Sequence, residues 1–120
     1  MTASVNLGEE PRTGRLLRIF LGEGDRIDGR PAFHVVVETA RELGLAGATV
    51  LHGSMGYGAN SVIHRPELWR ISHDLPVVIE VVDEEARVSA LIERLEGMLG
   101  GGGLITVESV RVLRYQAAAR

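Results

Sequence analysis

This sequence contains no cysteine and no lysine, and only 4% of its residues are aromatic. Without cysteine there is no disulfide, no thiolate nucleophile and no thiolate metal site. Without lysine there is no Schiff-base amine, no lysine general base and no P-loop lysine. All 13 basic residues are arginine, which keeps its proton and grips phosphate or carboxylate as a two-pronged fork. The scarcity of aromatics leaves a core of Val, Leu and Ile within a hydrophobic share of 45%. A net charge of −3, with no basic stripe, gives no general attraction to nucleic acid. No apolar run approaches the roughly 20 residues of a membrane span, so no membrane insertion is expected. Met1–Thr13 is polar, carries Glu9 and Glu10, and lacks the basic-then-apolar order of a signal peptide. The expected location is therefore cytoplasmic.

What is present is one unit used twice: strand, amphipathic helix, strand. Leu16–Leu21, Pro31–Leu43 and Ala48–Gly53 make the first copy, and Val77–Val82, Glu84–Leu99 and Leu104–Val110 the second. Phe33, Val36, Val37, Ala40 and Leu43 recur at the same spacing as Val88, Leu91, Ile92, Leu95 and Met98, each set on one helical face. A chain of 120 residues repeating β-α-β predicts a single α+β domain of the ferredoxin-like βαββαβ kind, with a four-stranded antiparallel sheet and two helices on one face. The domain is expected over residues 14–115, with flexible tails at 1–13 and 116–120.

Local signals set the boundaries. Pro31 stands near the first position of the first helix, where its missing N–H costs nothing, and Gly44 ends that helix in a left-handed cap. Asp83 is expected to cap the second helix, with Glu84 and Glu85 in its first turn. Between Gly53 and Leu75 runs a long connection, in which Leu68-Trp69-Arg70-Ile71 suggests a short strand or turn. In the last strand Ile105 and Val107 face one way and Val110 and Val112 the other, which predicts a bulge near Glu108–Ser109. With Leu17, Ile19 and Leu21 turned to the helices, Phe20, Val78 and Val82 fall on the uncovered side of the sheet, with Arg18 and Glu80 paired among them. Such a patch predicts packing against further copies in a closed ring.

Four ordered segments resemble a known family: Leu17–Glu23, Gly44–Val50, His52–Gly58 and Leu75–Asp83. The chain is identified as a member of the bacterial and archaeal domain-of-unknown-function family 190, placed beside the PII signal-transduction proteins. The resemblance implies a homotrimer with sheets lining its centre. It also implies adenine-nucleotide binding in clefts between subunits, and action on a partner, such as a membrane transporter or channel, through the 53–75 loop. Its matching positions are Gly53, Gly56, Tyr57 and Gly58 at the loop base, Gly101, Gly102 and Gly103 in the glycine-rich loop, and Arg111 and Arg114 after it. The PII lysines at the glycine-rich loop and the loop base are missing here. AMP, ADP or a cyclic nucleotide is therefore the expected ligand rather than a triphosphate, and 2-oxoglutarate is not expected.

The same residues carry blander readings. The Gly100–Gly103 run either offers N–H groups to phosphate or simply caps a helix; Gly53, Gly56 and Gly58 either admit a ligand or form a hinge. Arg111 and Arg114 grip phosphate or are surface charge. His34, His52, His64 and His73 show no close metal-ligand spacing, so no metal site is assigned; the alternative is a trimer resembling the CutA-type divalent-cation tolerance proteins. No nucleophile elbow or carboxylate pair is visible, so no catalytic residue is assigned, and a small enzyme using the intersubunit cleft is the remaining alternative.

Overall fold

A computed structural model describes residues 12–58, 75–100 and 102–114. The elements are β1 (Arg12–Gly22), β2 (Arg26–Ile27), β3 (Arg30–Pro31), α1 (Ala32–Glu42), β4 (Thr49–His52), β5 (Pro76–Asp83), α2 (Glu85–Leu99) and β6 (Leu104–Val112). The main sheet has the order β4-β5-β1-β6, with every neighbour antiparallel. The fold is the α+β arrangement expected from the repeat, with β1 and β5 at the centre.

Period-two alternation decides what the sheet buries. Leu17, Ile19 and Leu21 of β1 and Val77, Ile79 and Val81 of β5 point toward the helices and are all buried. They meet Val36 and Ala40 of α1 and Val88, Leu91 and Leu95 of α2, while Phe33, Val37, Leu43 and Ile92 close the margins. Full burial of each such aliphatic contributes about 1.5–3 kcal/mol, so this seam dominates the stability of the fold. The one buried polar residue in it, Thr39, satisfies its hydroxyl by donating to the Val35 carbonyl at 2.7 Å.

Helix ends follow the local chemistry, with two corrections. Gly44 lies just beyond the end of α1 with φ +81°, a conformation natural to glycine, and its N–H bonds to Arg41 O. Pro31 is the N-cap of α1 rather than its first helical residue. Glu84, not Asp83, is the N-cap of α2. Asp83 serves instead as a brace: its Oδ1 accepts from Glu84 N–H at 2.7 Å, and its Oδ2 accepts from Ala46 N–H at 2.8 Å, tying the α1–β4 loop to α2.

The expected bulge in β6 is absent. Pairing with β1 runs unbroken from Phe20↔Leu104 to Arg12↔Val112. Ile105 and Val107 do face away from Val110 and Val112, but by unbroken alternation along the strand. Val110 lies opposite Gly14, where a side chain would stand 2.8 Å from Val112 Cγ2 and 3.1 Å from the Asp83 carbonyl. Val110 and Val112 fill the notch that Gly14 leaves, so the strand changes its apolar face without breaking register. β1 also starts earlier than expected, taking Arg12 and Thr13 from the predicted tail. Residues 1–11, the Leu68–Ile71 segment and the 116–120 tail lie outside the described residues.

The helix-free face is striped. Leu51, Val78, Phe20 and Leu104 align across the four strands, and Leu51 and Leu104 are 48% and 56% exposed. The next line holds Thr49, Glu80, Arg18 and Thr106; beyond it Val82 faces Leu16. Arg18 Nε meets Glu80 at 2.9 Å as expected, and Nη1 also meets Glu108 at 2.9 Å. The hydrogen bond to Glu80 leads in raising the Arg18 guanidinium above its ordinary value.

Candidate functional site

Four chain ends converge at one end of the sheet. β1 and β4 finish there, and β5 and β6 begin there. This is where Gly53, Gly56, Tyr57 and Gly58 leave β4 and where Gly102 and Gly103 enter β6.

The glycines of the first group are partly explained by packing. Gly53 N–H donates to the Pro76 carbonyl at 2.7 Å. A Cβ on Gly53 would stand 2.7 Å from Pro76 Cγ, and one on Gly56 would stand 3.1 Å from the same atom. Both glycines therefore let the chain lie flat on the proline ring. Around Gly58 there is open space, and Met55 and Tyr57 are 74% and 69% exposed. A phenol ring standing in water at a loop base is suited to stacking on a planar base, because it loses little by being covered.

The second group divides similarly. Gly100 is the left-handed C-cap of α2, with φ +59°, and Gly102 N–H donates to Leu99 O at 2.9 Å. Gly103 has φ +79°, and a Cβ there would stand 2.8 Å from Leu21 Cδ2 and 3.1 Å from the Phe20 carbonyl. Gly101 lies outside the described residues.

Arg111 and Arg114 are elsewhere. Arg111 pairs with Thr13, near the start of β1, seven residue steps along β6 from Leu104. At about 3.4 Å per step that is about 24 Å from the glycine loops. Both arginines are exposed. Their neighbour Arg15 is already engaged, with Nη2 on Glu85 at 2.7 Å and Nη1 on Ser109 Oγ at 3.1 Å. One protomer therefore brings Gly53–Gly58 and Gly102–Gly103 to the same end of the sheet and leaves Arg111 and Arg114 at the other.

Three residues that reading the chain did not connect sit at the loop end. His52 Nε2 lies 3.1 Å from Glu23 Oε2, although β5 runs between their strands. The Phe33 ring meets the His52 ring edge-on, with centroids 5.6 Å apart. Glu23 N–H donates to Leu75 O at 2.8 Å. The available signal was position alone: Glu23 ends the Leu21-Gly22-Glu23 run, and His52 immediately precedes Gly53. His34 is exposed on α1 against Phe33; His64 and His73 lie outside the described residues. Among the described residues no three His, Asp or Glu groups are arranged to hold a metal ion.

A cavity of about 340 Å³ opens between α1 and the loop after it, lined by Val37, Ala40, Arg41 and Leu45–Ala48. It lies at the opposite end from the glycine loops, and Arg41 is the only charged side chain in its lining, so the loop end carries the stronger case for a site.

The profile of DUF190, described as Uncharacterized ACR, matches residues 14–112. A UPF0166 protein of Aquifex aeolicus is 39% identical over 99 residues, covering 82% of this chain and 92% of that protein. Among solved structures, CPII of Thiomonas intermedia K12, a nitrogen regulatory PII-like protein bound to ADP, AMP and bicarbonate, matches with a TM-score of 0.66 at 18% identity, covering 86% of this chain and 91% of that one. The B. subtilis GlnK–ATP complex matches with a TM-score of 0.51 at 16% identity, covering 82% of each chain. At these identities the two structures speak for the fold.

Proposed function

Because this chain belongs to the DUF190 family and has a PII-like fold, we infer that it is a regulator that binds an adenine nucleotide in clefts between the subunits of a homotrimer. The observation that carries this reading is the division of the candidate site within one protomer. Glycine loops and an exposed tyrosine stand at one end of the sheet, and Arg111 and Arg114 about 24 Å away at the other. A phosphate held by both groups requires two copies. The helix-free face, with exposed leucines on two strands, supplies apolar surface to join them.

The ligand class follows from the donors. Tyr57 stacks on adenine, the Gly101–Gly103 loop lets phosphate approach its backbone, the forks of Arg111 and Arg114 take phosphate oxygens, and no lysine exists to reach a third phosphate. AMP, ADP or a cyclic nucleotide fits this set. That similar folds hold ADP and AMP in CPII supports the choice of base. Occupancy then reaches a partner through the 53–75 connection, a membrane transporter or channel being the class expected from the resemblance. The reading contains no catalytic step.

A thermal-shift screen of AMP, ADP, ATP and cyclic AMP tests it. A ligand at 100 times its dissociation constant stabilises by about 2.7 kcal/mol, which is readily seen as a rise in Tm. Arg114→Ala should weaken the effect of AMP or ADP at least tenfold in concentration. No shift with any nucleotide, or a lone protomer at micromolar concentration by light scattering, overturns the reading.

A further inference from the structure

Three contacts close a ring around the point where the chain leaves and re-enters the sheet. Glu23 N–H holds the Leu75 carbonyl at 2.8 Å, Gly53 N–H holds the Pro76 carbonyl at 2.7 Å, and the Glu23 and His52 side chains meet at 3.1 Å. The first two are backbone bonds and do not change charge. The third joins a carboxylate to an imidazole, stretches from central β1 to edge strand β4, and passes over the start of β5. We propose that the Glu23–His52 contact is a proton-operated tie that fastens the end of β4 and the start of β5 to β1.

Among the described residues, the surroundings leave this pair as the responsive element. Arg26 Nη1 donates to the Glu23 carbonyl at 3.4 Å, not to its carboxylate. The Asp25 carboxylate accepts from Gly22 N–H at 2.8 Å, and Arg30 is engaged by Glu38 at 2.7 Å. From α1 the uncharged Phe33 ring contacts His52, and also His34. Leu75 and, from β5, Pro76 and Val77 lie here, and β4 contributes Thr49, Val50 and Leu51; none of these titrates. Histidine is the side chain whose charge ordinarily changes between about pH 5 and 8. With imidazolium present the contact is an ion pair; with neutral imidazole only a hydrogen bond remains. The tie is therefore tighter with the imidazolium facing the carboxylate than with the neutral ring.

The proposal concerns regulation of the nucleotide site, and it rests on that reading for its purpose, because Gly53 and Gly56 of that site sit on Pro76. Its test needs no nucleotide. The amides of Glu23 and Gly53 report the ring directly, and hydrogen exchange of the full chain is measured at pH 5.5 and pH 8.5. Protection is expressed against the intrinsic rate at each pH, so the chemical pH dependence cancels. Protection of both amides is expected to be about two- to fivefold higher at pH 5.5, the range spanned by an exposed ion pair. Amides of Ile19 and Ile79 in the core should not differ. Glu23→Gln, which keeps an acceptor without charge, and His52→Gln should each abolish the difference. A pH-independent ratio in the unmodified chain, or an undiminished one in Glu23→Gln, overturns the tie. Nucleotide binding without pH-dependent protection removes the tie and spares the regulator; the converse result removes the nucleotide and spares the tie.

Discussion

Replacing Gly103 by alanine separates a packing role of the glycine-rich loop from a binding role. The backbone there has φ +79°, where an L-side chain costs about 1 kcal/mol. The new methyl would also stand 2.8 Å from Leu21 Cδ2 and 3.1 Å from the Phe20 carbonyl, inside the central strand. Leu21 is buried against the core and the carbonyl belongs to the β1 backbone, so relief requires moving the β6 entry. Such overpacking costs about 1–3 kcal/mol, giving about 2–4 kcal/mol in total. For a domain near 100 residues that is a fall of about 8–32 °C in Tm. Gly100→Ala is the matched control: its φ is +59°, but no atom lies within 4 Å of the added carbon. It should lose only about 1 kcal/mol, or about 4–8 °C. Both are compared by urea denaturation and thermal melting at one protein concentration, because assembly links stability to concentration. Equal losses in the two variants, or a loss below about 1 kcal/mol in Gly103→Ala, would refute the close approach of β6 to Leu21.

Three further outcomes are expected. Asp83→Ala strips the acceptor from Ala46 N–H and Glu84 N–H and should cost about 1–2 kcal/mol, read from the urea midpoint with an unchanged slope. Arg30, chiefly through its hydrogen bond, holds the Glu38 carboxyl below its ordinary value of 4.5. A lowered folded value means that this contribution is complete above the unfolded value and disappears as pH falls through the folded one. Urea unfolding between pH 3 and 6 should therefore show a shallower acid loss in Glu38→Gln than in the unmodified chain. Val78→Asp places a carboxylate in the apolar line of the helix-free face; sedimentation velocity should then show protomers at micromolar concentration with the far-ultraviolet spectrum retained, and an intact multimer would count against that face as the joining surface.

The helices and the central strands were legible because their signals are local. Phe33 through Leu43 and Val88 through Met98 repeat at helical spacing, and Leu17, Ile19 and Leu21 alternate, so each element announces its own buried side. Arg18 could be matched to Glu80 once β1 and β5 were adjacent. Its second partner, Glu108, depends on the register of β6, which the expected bulge had displaced. That error came from reading Val110 and Val112 within their own strand, whereas the empty position opposite them belongs to Gly14, far away in the chain. The pairing of Glu23 with His52 was hidden for a related reason. Their strands never touch, and only the width of β5 between them brings the side chains to 3.1 Å. The site residues chosen from family resemblance were split by topology between two ends of one sheet, a separation no local pattern encodes.

The banding of the open β-surface has a consequence for any copy laid upon it. A lipophilic belt, Leu51-Val78-Phe20-Leu104, and a shorter one, Val82-Leu16, which ends at Glu108 on β6, run either side of the ionic belt centred on Arg18. Sliding a neighbour by two residues, about 6.8 Å along a strand, would press Glu80 onto phenylalanine and leucine and strip it of water with nothing in return. A smooth greasy sheet would tolerate such slippage. This one works like a vernier, in which only one alignment lets every belt meet its own kind.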